Sequence, residues 1–270
     1  MQLLCSNGAF SRGPDFTSHE AILTYGPQLT VDGFEVIFYP SWYAHQERIA
    51  SELRASGLRF PAIHMEKRIG IAFGNADPDE QERGIDWFER NCAFAQQISA
   101  PLAVLHLWGW PESDNHFERN LQHLSHCLDI AERYAINLAI ETIPCKRYDP
   151  LSNIRQAFER DPRTRIALDT EFLAFHDQIE TVFAASWIWR ERLVQHVHIK
   201  DFDGEPFPPG GRRYLHPGEG HIDFGRFLRR LQETGFDGTV SLESPAIDAQ
   251  GHVHLERIQD SLQLIARLMD

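Results

Sequence analysis

The chain has 270 residues, 42% hydrophobic and 24% charged, which is a globular composition with material for a sizeable core and the usual length of one α/β barrel. It carries 26 Lys and Arg against 39 Asp and Glu, a net charge of −13 that opposes non-specific binding to phosphate backbones and acidic membranes. No segment approaches a membrane span, Met1-Gln-Leu-Leu-Cys-Ser-Asn lacks the regions of a signal peptide, and Cys5, Cys92, Cys127 and Cys145 have no C-x-x-C spacing. A cytoplasmic protein with reduced, buried thiols is expected, without a zinc finger.

Strand-like and helix-like segments alternate along the whole chain. Gln2–Ser6 reads as a first strand, and the connection after it is the weakest because Tyr25-Gly-Pro interrupts it. Residues 34–39, rich in β-formers, make the second strand, followed by a helix over 43–56 that stops at Gly57. A third strand covers 60–64. The helix over 79–99 places Ile85, Phe88, Cys92, Ala95 and Ile98 on one stripe. After a fourth strand over 102–107, residues 117–134 repeat that pattern with Leu121, Leu124, Leu128 and Ala131. Strands five and six are Asn137–Glu141 and Arg165–Asp169, with a short helix over 151–160 between them. A helix over 179–192 leads to a seventh strand over 194–198, a helix over 223–234 to an eighth over 239–243, and a helix over 252–269 closes the set. Eight such units predict a single (β/α)8 TIM barrel, one domain over 1–270. The glycines of Asn7-Gly-Ala-Phe-Ser-Arg-Gly lack the G-x-G-x-x-G spacing of a dinucleotide fold.

The last four strands each end on a different metal-binding position: Glu141, Asp169, His198 and Glu243. In a parallel barrel the C-terminal strand ends converge on one open face. A carboxylate closing a buried strand is costly to desolvate unless it is paired or metal-bound, so three carboxylates and an imidazole predict a site for one divalent cation. Oxygen-rich ligation with one nitrogen suits Mn²⁺, Mg²⁺, Co²⁺ or Zn²⁺ alike. Asp169 also reads as the N-cap of whatever follows it. His64 and His106 end earlier strands and should face the same mouth, as second-metal ligands, substrate-polarising groups, proton shuttles or rim residues. Trp42, Trp108 and Trp110 either wall a sugar pocket or pack beneath a loop. The Gly- and Pro-rich stretch from Lys200 to Phe224 marks a long functional loop, where Arg212 and Arg213 either hold substrate oxygens or pair with the surplus acids. His116, His123, His126, His252 and His254 are expected on solvated helix faces.

Ala139-Ile-Glu-Thr, Ala167-Leu-Asp-Thr, His196-Val-His-Ile-Lys-Asp201, Gly218-Glu-Gly-His-Ile-Asp-Phe-Gly-Arg-Phe-Leu and Gly235-Phe-Asp-Gly-Thr-Val-Ser-Leu-Glu243 together resemble the xylose-isomerase-like barrel superfamily. The likeness is to its sugar phosphate isomerase/epimerase group, and it spans most of the chain. That resemblance implies one divalent metal on Glu141, Asp169, His198 and Glu243, with Glu141 and Glu243 also moving protons in an enediolate mechanism on a small sugar, sugar phosphate or hydroxy-keto acid. Substrate would be oriented by His64, His106, Trp108, Lys200 and Arg213, and pairing of barrels through their outer helices would make a homodimer. Two departures bear on activity. Phe172 stands three residues after Asp169, where relatives often have His, and the loop from Asp201 to Gly220 has no Asp-x-His pair, so the zinc cluster of endonuclease IV lacks ligands. With the acidic charge, this argues against nucleic acid as a partner. An inosose-type dehydratase, an abasic-site phosphodiesterase and a non-catalytic sugar binder are the competing readings.

Overall fold

The structure, a computed structural model, describes residues 1–11, 19–205 and 213–270. Eight strands run in sequence order around a closed barrel, all parallel, with β1 (Gln2–Ser6) pairing both β2 (Gly33–Ile37) and β8 (Thr239–Leu242). Between them come β3 (Ala62–His64), β4 (Leu102–Leu105), β5 (Asn137–Glu141), β6 (Arg165–Asp169) and β7 (Val194–Ile199). The helices in chain order are α1 (Glu20–Tyr25), α2 (Gln46–Ala55), α3 (Arg68–Gly74), α4 (Pro78–Gln97), α5 (Phe117–Arg133), α6 (Pro150–Arg160), α7 (Thr170–Phe175), α8 (Thr181–Ala184), α9 (Ser186–Arg190), α10 (Phe224–Glu233) and α11 (Leu255–Met269).

Side chains alternate across each strand, so every strand feeds two cores. One set, including Leu3, Cys5, Phe34, Val36, Ile63, Leu105, Ile140, Leu168, Val197 and Leu242, packs outward against the helices. The opposite set fills the barrel. Its apolar part is a separate small cluster of Leu4, Ala62, Leu102, Val104, Ala139 and Ala167. Toward the C-terminal strand ends the inner set turns polar, with Glu35, His196, Thr239 and Ser241 giving way to His64, Glu141, Asp169, His198 and Glu243, all buried. Pairing of Asp169 with His198 and of His198 with Ser241 fixes this stacking.

The helices form where apolar residues recur at helical spacing and a cap begins them. In α10, Phe224, Phe227, Leu228 and Leu231 are buried at i, i+3, i+4 and i+7, and the Asp223 carboxylate accepts the Arg226 N–H at 2.9 Å. At about 1.5–3 kcal/mol per fully buried large apolar side chain, such a face outweighs the weak propensity of a ten-residue helix. The α3 helix lies against the exit of β4 only because Gly70 has no side chain: a Cβ there would sit 2.2 Å from the His106 carbonyl oxygen.

The structure departs from the sequence expectations in places. The span expected as one helix over 179–192 is two short helices, α8 and α9, and α11 begins at Leu255, leaving His252 and His254 before it. The helices α3 and α7 were not expected. His123 is not fully solvated, because its ring stacks on Phe73 at 4.8 Å. All four cysteines are buried free thiols. Among the described residues, no helix is long and apolar enough to cross a membrane.

Candidate metal centre and active site

Each of the four predicted ligands reaches the barrel mouth from its own strand end, and one ligand atom from each of Glu141, Asp169, His198 and Glu243 lies within 4.8 Å of the others. Nδ1 of His198 is 2.8 Å from Glu141 Oε1, 3.6 Å from Glu243 Oε2 and 4.0 Å from Asp169 Oδ2. Asp169 is the N-cap that was expected: Oδ1 accepts the Phe172 N–H at 3.0 Å and starts α7, while Oδ2 faces the cluster.

The remaining contacts show how this charge is held. The second oxygen of Glu141 is 2.5 Å from His106 Nε2 and 3.1 Å from His64 Nε2, and His64 donates from Nδ1 to the Met65 carbonyl. His64 and His106 therefore meet in the same mouth as the four predicted ligands. The buried Lys200 places its ammonium 2.5 Å from Asp169 Oδ2 and 2.6 Å from Glu243 Oε2, within the carboxylate cluster, with the Phe172 ring 4.8 Å away. Its position follows from period-two alternation, since His196, His198 and Lys200 share one strand face. Arg213 stands at the rim, with Asp203 and with Glu205 at 3.2 Å. Arg212 lies outside the described residues.

Trp108 sits elsewhere. Its indole is fully buried, donates to the Pro144 carbonyl at 3.2 Å and meets Phe117 edge-on, beneath the loop. Trp110, two residues on, lines a cavity of about 310 Å³ with His106, Ile143, Phe172, Phe175 and Phe202. A second cavity of about 550 Å³ opens over Glu243 and Lys200 between Tyr39 and Arg257. Lys67, Arg213 and Leu215 line both. The first volume falls at the lower end of the range of small-molecule sites.

Glu35 of β2 was not found by sequence reasoning. Its carboxylate is fully buried, and Oε1 accepts from His198 Nε2 at 2.8 Å while Oε2 accepts from Ser241 Oγ at 2.8 Å. His196 Nε2 is 3.4 Å from the same Oε1, and its Nδ1 is 2.6 Å from Thr239 Oγ1.

Burial opposes ionisation of every carboxylate here, and the neighbours decide the outcome. For Glu141 the imidazoles of His106 and His198 outweigh burial, and for Glu35 those of His198 and His196 do, so both are held well below the usual carboxylate range. Lys200 and then His198 do the same for Glu243. Burial wins at Asp169, which is pushed up to about 7 against the pull of Lys200. Burial also lowers His106 to about 4, although Glu141 opposes it. His198 goes the other way: Glu35, Glu141 and Glu243 overcome burial and raise it well above its ordinary value.

The donor set fits a divalent cation. Asp169 Oδ2 is buried without a hydrogen bond, and the cation that approaches it is the Lys200 ammonium. Three carboxylates and one imidazole nitrogen are the hard-to-borderline donors that Mn²⁺, Mg²⁺, Co²⁺ and Zn²⁺ accept.

A closed eight-stranded barrel with carboxylates and histidines gathered at its C-terminal mouth is the architecture of a TIM-barrel protein. The description "xylose isomerase-like TIM barrel" matches residues 24–268, and the chain belongs to that family. It is 22% identical over 213 residues to L-ribulose-5-phosphate 3-epimerase UlaE of Escherichia coli K12, covering 74% of this chain and 70% of that one. In fold it is similar to D-psicose 3-epimerase of Clostridium cellulolyticum H10, solved with D-tagatose, with a TM-score of 0.75, 12% identity and complete coverage of both chains. It is also similar to the 3-keto-D-glucoside 4-epimerase YcjR of E. coli, with a TM-score of 0.69, 18% identity and 99% coverage of each.

Proposed function

We propose that this chain is a divalent-metal-dependent epimerase or isomerase of a small ketose, ketose phosphate or hydroxy-keto acid, working through an enediolate. The observation that carries the reading is the convergence of Glu141, Asp169, His198 and Glu243 within 4.8 Å at the barrel mouth, beside cavities open to a ligand. The three relatives described above are named as sugar 3- or 4-epimerases, which supports the same class of chemistry. The net charge of −13 disfavours a nucleic-acid substrate.

Asp169 and His198 would serve chiefly to hold the cation, with Glu141 and Glu243 completing the set. A bound divalent cation would polarise adjacent carbonyl and hydroxyl oxygens of a sugar and acidify the C–H between them. Glu141 and Glu243 enter from β5 and β8. One can take the proton from carbon while the other returns one to the opposite face or to the neighbouring carbon. In the free site both are held ionised, since His106 and His198 lower Glu141, and Lys200 and His198 lower Glu243, each against burial. One is therefore ready as the base, and the other must take up a proton from solvent before it delivers that proton to carbon. His106 remains neutral near pH 7, because burial lowers it to about 4, and it can hydrogen-bond a substrate oxygen beside Glu141. Lys67 and Arg213, at the rim of both cavities, are placed to hold a distal hydroxyl or anionic group.

The test combines metal analysis with two isosteric variants. The reading expects about one divalent ion per chain and a fall of at least 10²-fold in turnover for both Glu141→Gln and Glu243→Gln, with metal content falling less than for Asp169→Ala. Full activity in either Gln variant contradicts the acid/base assignment. A product lighter by one water would assign the dehydratase reading instead.

A further inference from the structure

We propose that Glu35 is the positioning residue of the metal centre: it holds the His198 ring so that Nε2 keeps a proton and Nδ1 presents its lone pair to the cation. The inference rests on the reading of Glu141, Asp169, His198 and Glu243 as a metal site.

The two nitrogens of His198 face opposite ways. Nδ1 lies 2.8 Å from Glu141 and within 4.0 Å of Asp169 and Glu243, so it alone can join their donor set. Nε2 points down the barrel to Glu35 Oε1 at 2.8 Å. An imidazole that ligates through one nitrogen must carry its proton on the other, and a carboxylate accepting that proton fixes both ring orientation and tautomer. Glu35 is built for that acceptance. Ser241 Oγ donates to its other oxygen at 2.8 Å, and His196, itself 2.6 Å from Thr239, stands 3.4 Å from the oxygen that faces His198. The carboxylate is thus aimed by groups on β7 and β8, although it belongs to β2.

Burial makes the assignment specific. Glu35 has no exposure to solvent, and its cross-strand neighbour Ala62 belongs to the apolar filling of the barrel. An apolar residue would pack there without the desolvation cost of a carboxylate. Among the described contacts, what the carboxylate adds is its hydrogen bonds to His198 and Ser241 and its 3.4 Å approach to His196. Of these, the bond to His198 reaches the centre directly.

The experiment compares chelator-stripped parent, Glu35→Gln and Glu35→Ala, with Mn²⁺ as the probe and Kd read by competition with a chelating dye. Circular dichroism and melting of the stripped proteins report folding separately. Parent is expected to bind one Mn²⁺, Glu35→Gln to bind it 10–100-fold more weakly with an unchanged fold, and Glu35→Ala at least as weakly as Glu35→Gln. Affinity in a folded Glu35→Gln within twofold of parent overturns the proposal. Failure of the parent itself to bind Mn²⁺ removes the metal-site reading beneath it, and the two failures are therefore distinct. Should the variants not fold, ¹⁵N-histidine spectra of the Zn²⁺-loaded parent decide. Zinc on Nδ1 of His198 with a protonated Nε2 supports the proposal, and zinc on Nε2 overturns it.

Discussion

Lys200→Met isolates the ammonium that sits among the carboxylates. Lys200 is 5% exposed, and its Nζ stands 2.5 Å from Asp169 and 2.6 Å from Glu243. Methionine keeps much of the stem and removes the charge, leaving two buried carboxylates to face each other. Removing one partner of a buried ion pair costs about 3–5 kcal/mol. At about 2–4 °C per kcal/mol for a domain approaching this size, the chelator-stripped variant should melt roughly 6–20 °C below the stripped parent. A divalent cation would take over the lost charge, and saturation at about a thousand times Kd adds roughly 4 kcal/mol. Differential scanning calorimetry of both proteins, with chelator and with excess Mn²⁺, reads this directly. The variant should gain more from metal than the parent does. A stripped variant melting within 2 °C of parent, or equal gains from metal, would refute the idea that Lys200 stands where a cation belongs.

Three further outcomes are expected elsewhere. Asp114 accepts backbone N–H groups of Lys146, Arg147 and Tyr148 at 2.7–2.9 Å, so Asp114→Ala should cost about 2–4 kcal/mol in urea unfolding and raise KM by loosening the loop that carries Ile143 and Pro144 into the cavity. The Arg163 guanidinium lowers Asp161 to about 2, below the unfolded value of about 3.9, so the pair's contribution is present above pH ~4 and fades as pH falls toward 2. After screening by the solvent around Arg163 it is about 1 kcal/mol, and Asp161→Asn should lose that much at pH 7 and almost nothing near pH 2. Gly70→Ala would push a Cβ into the His106 carbonyl oxygen, and soluble protein with parental melting would contradict the close packing of α3 on the β4 exit.

The barrel was legible in the sequence because parallel strands covered on both faces read as short Val-, Ile- and Leu-rich runs, and eight of them recur with helical patterns between. The predicted ligands were legible for a related reason: Glu141, Asp169 and His198 sit at or beside strand ends, and Glu243 follows β8 directly. Glu35 was hidden by the same alternation. A Glu between Phe34 and Val36 reads as the wet side of a half-buried strand, and only closure of the barrel brings it to His198, 163 positions away. Trp108 misled in the opposite sense, since nearness to a strand end does not say which way the chain turns, and the ring goes into the core while Trp110 takes the cavity. The seven-residue α3 and six-residue α7 are too short for periodicity to register, and α7 depends on the Asp169 cap, itself a site residue.

The central claim, metal-dependent proton transfer at carbon by Glu141 and Glu243, is tested most directly by ¹H NMR in D₂O. Ketoses and ketose phosphates would be incubated with chelator-stripped protein, with and without added Mn²⁺. Deuterium is expected to enter at the carbon beside the carbonyl only when metal is present, and exchange is expected to be diminished in both Glu141→Gln and Glu243→Gln, each losing proton removal from the face that its carboxylate serves. Exchange at the same rate in excess chelator, or undiminished exchange in either variant, would contradict it.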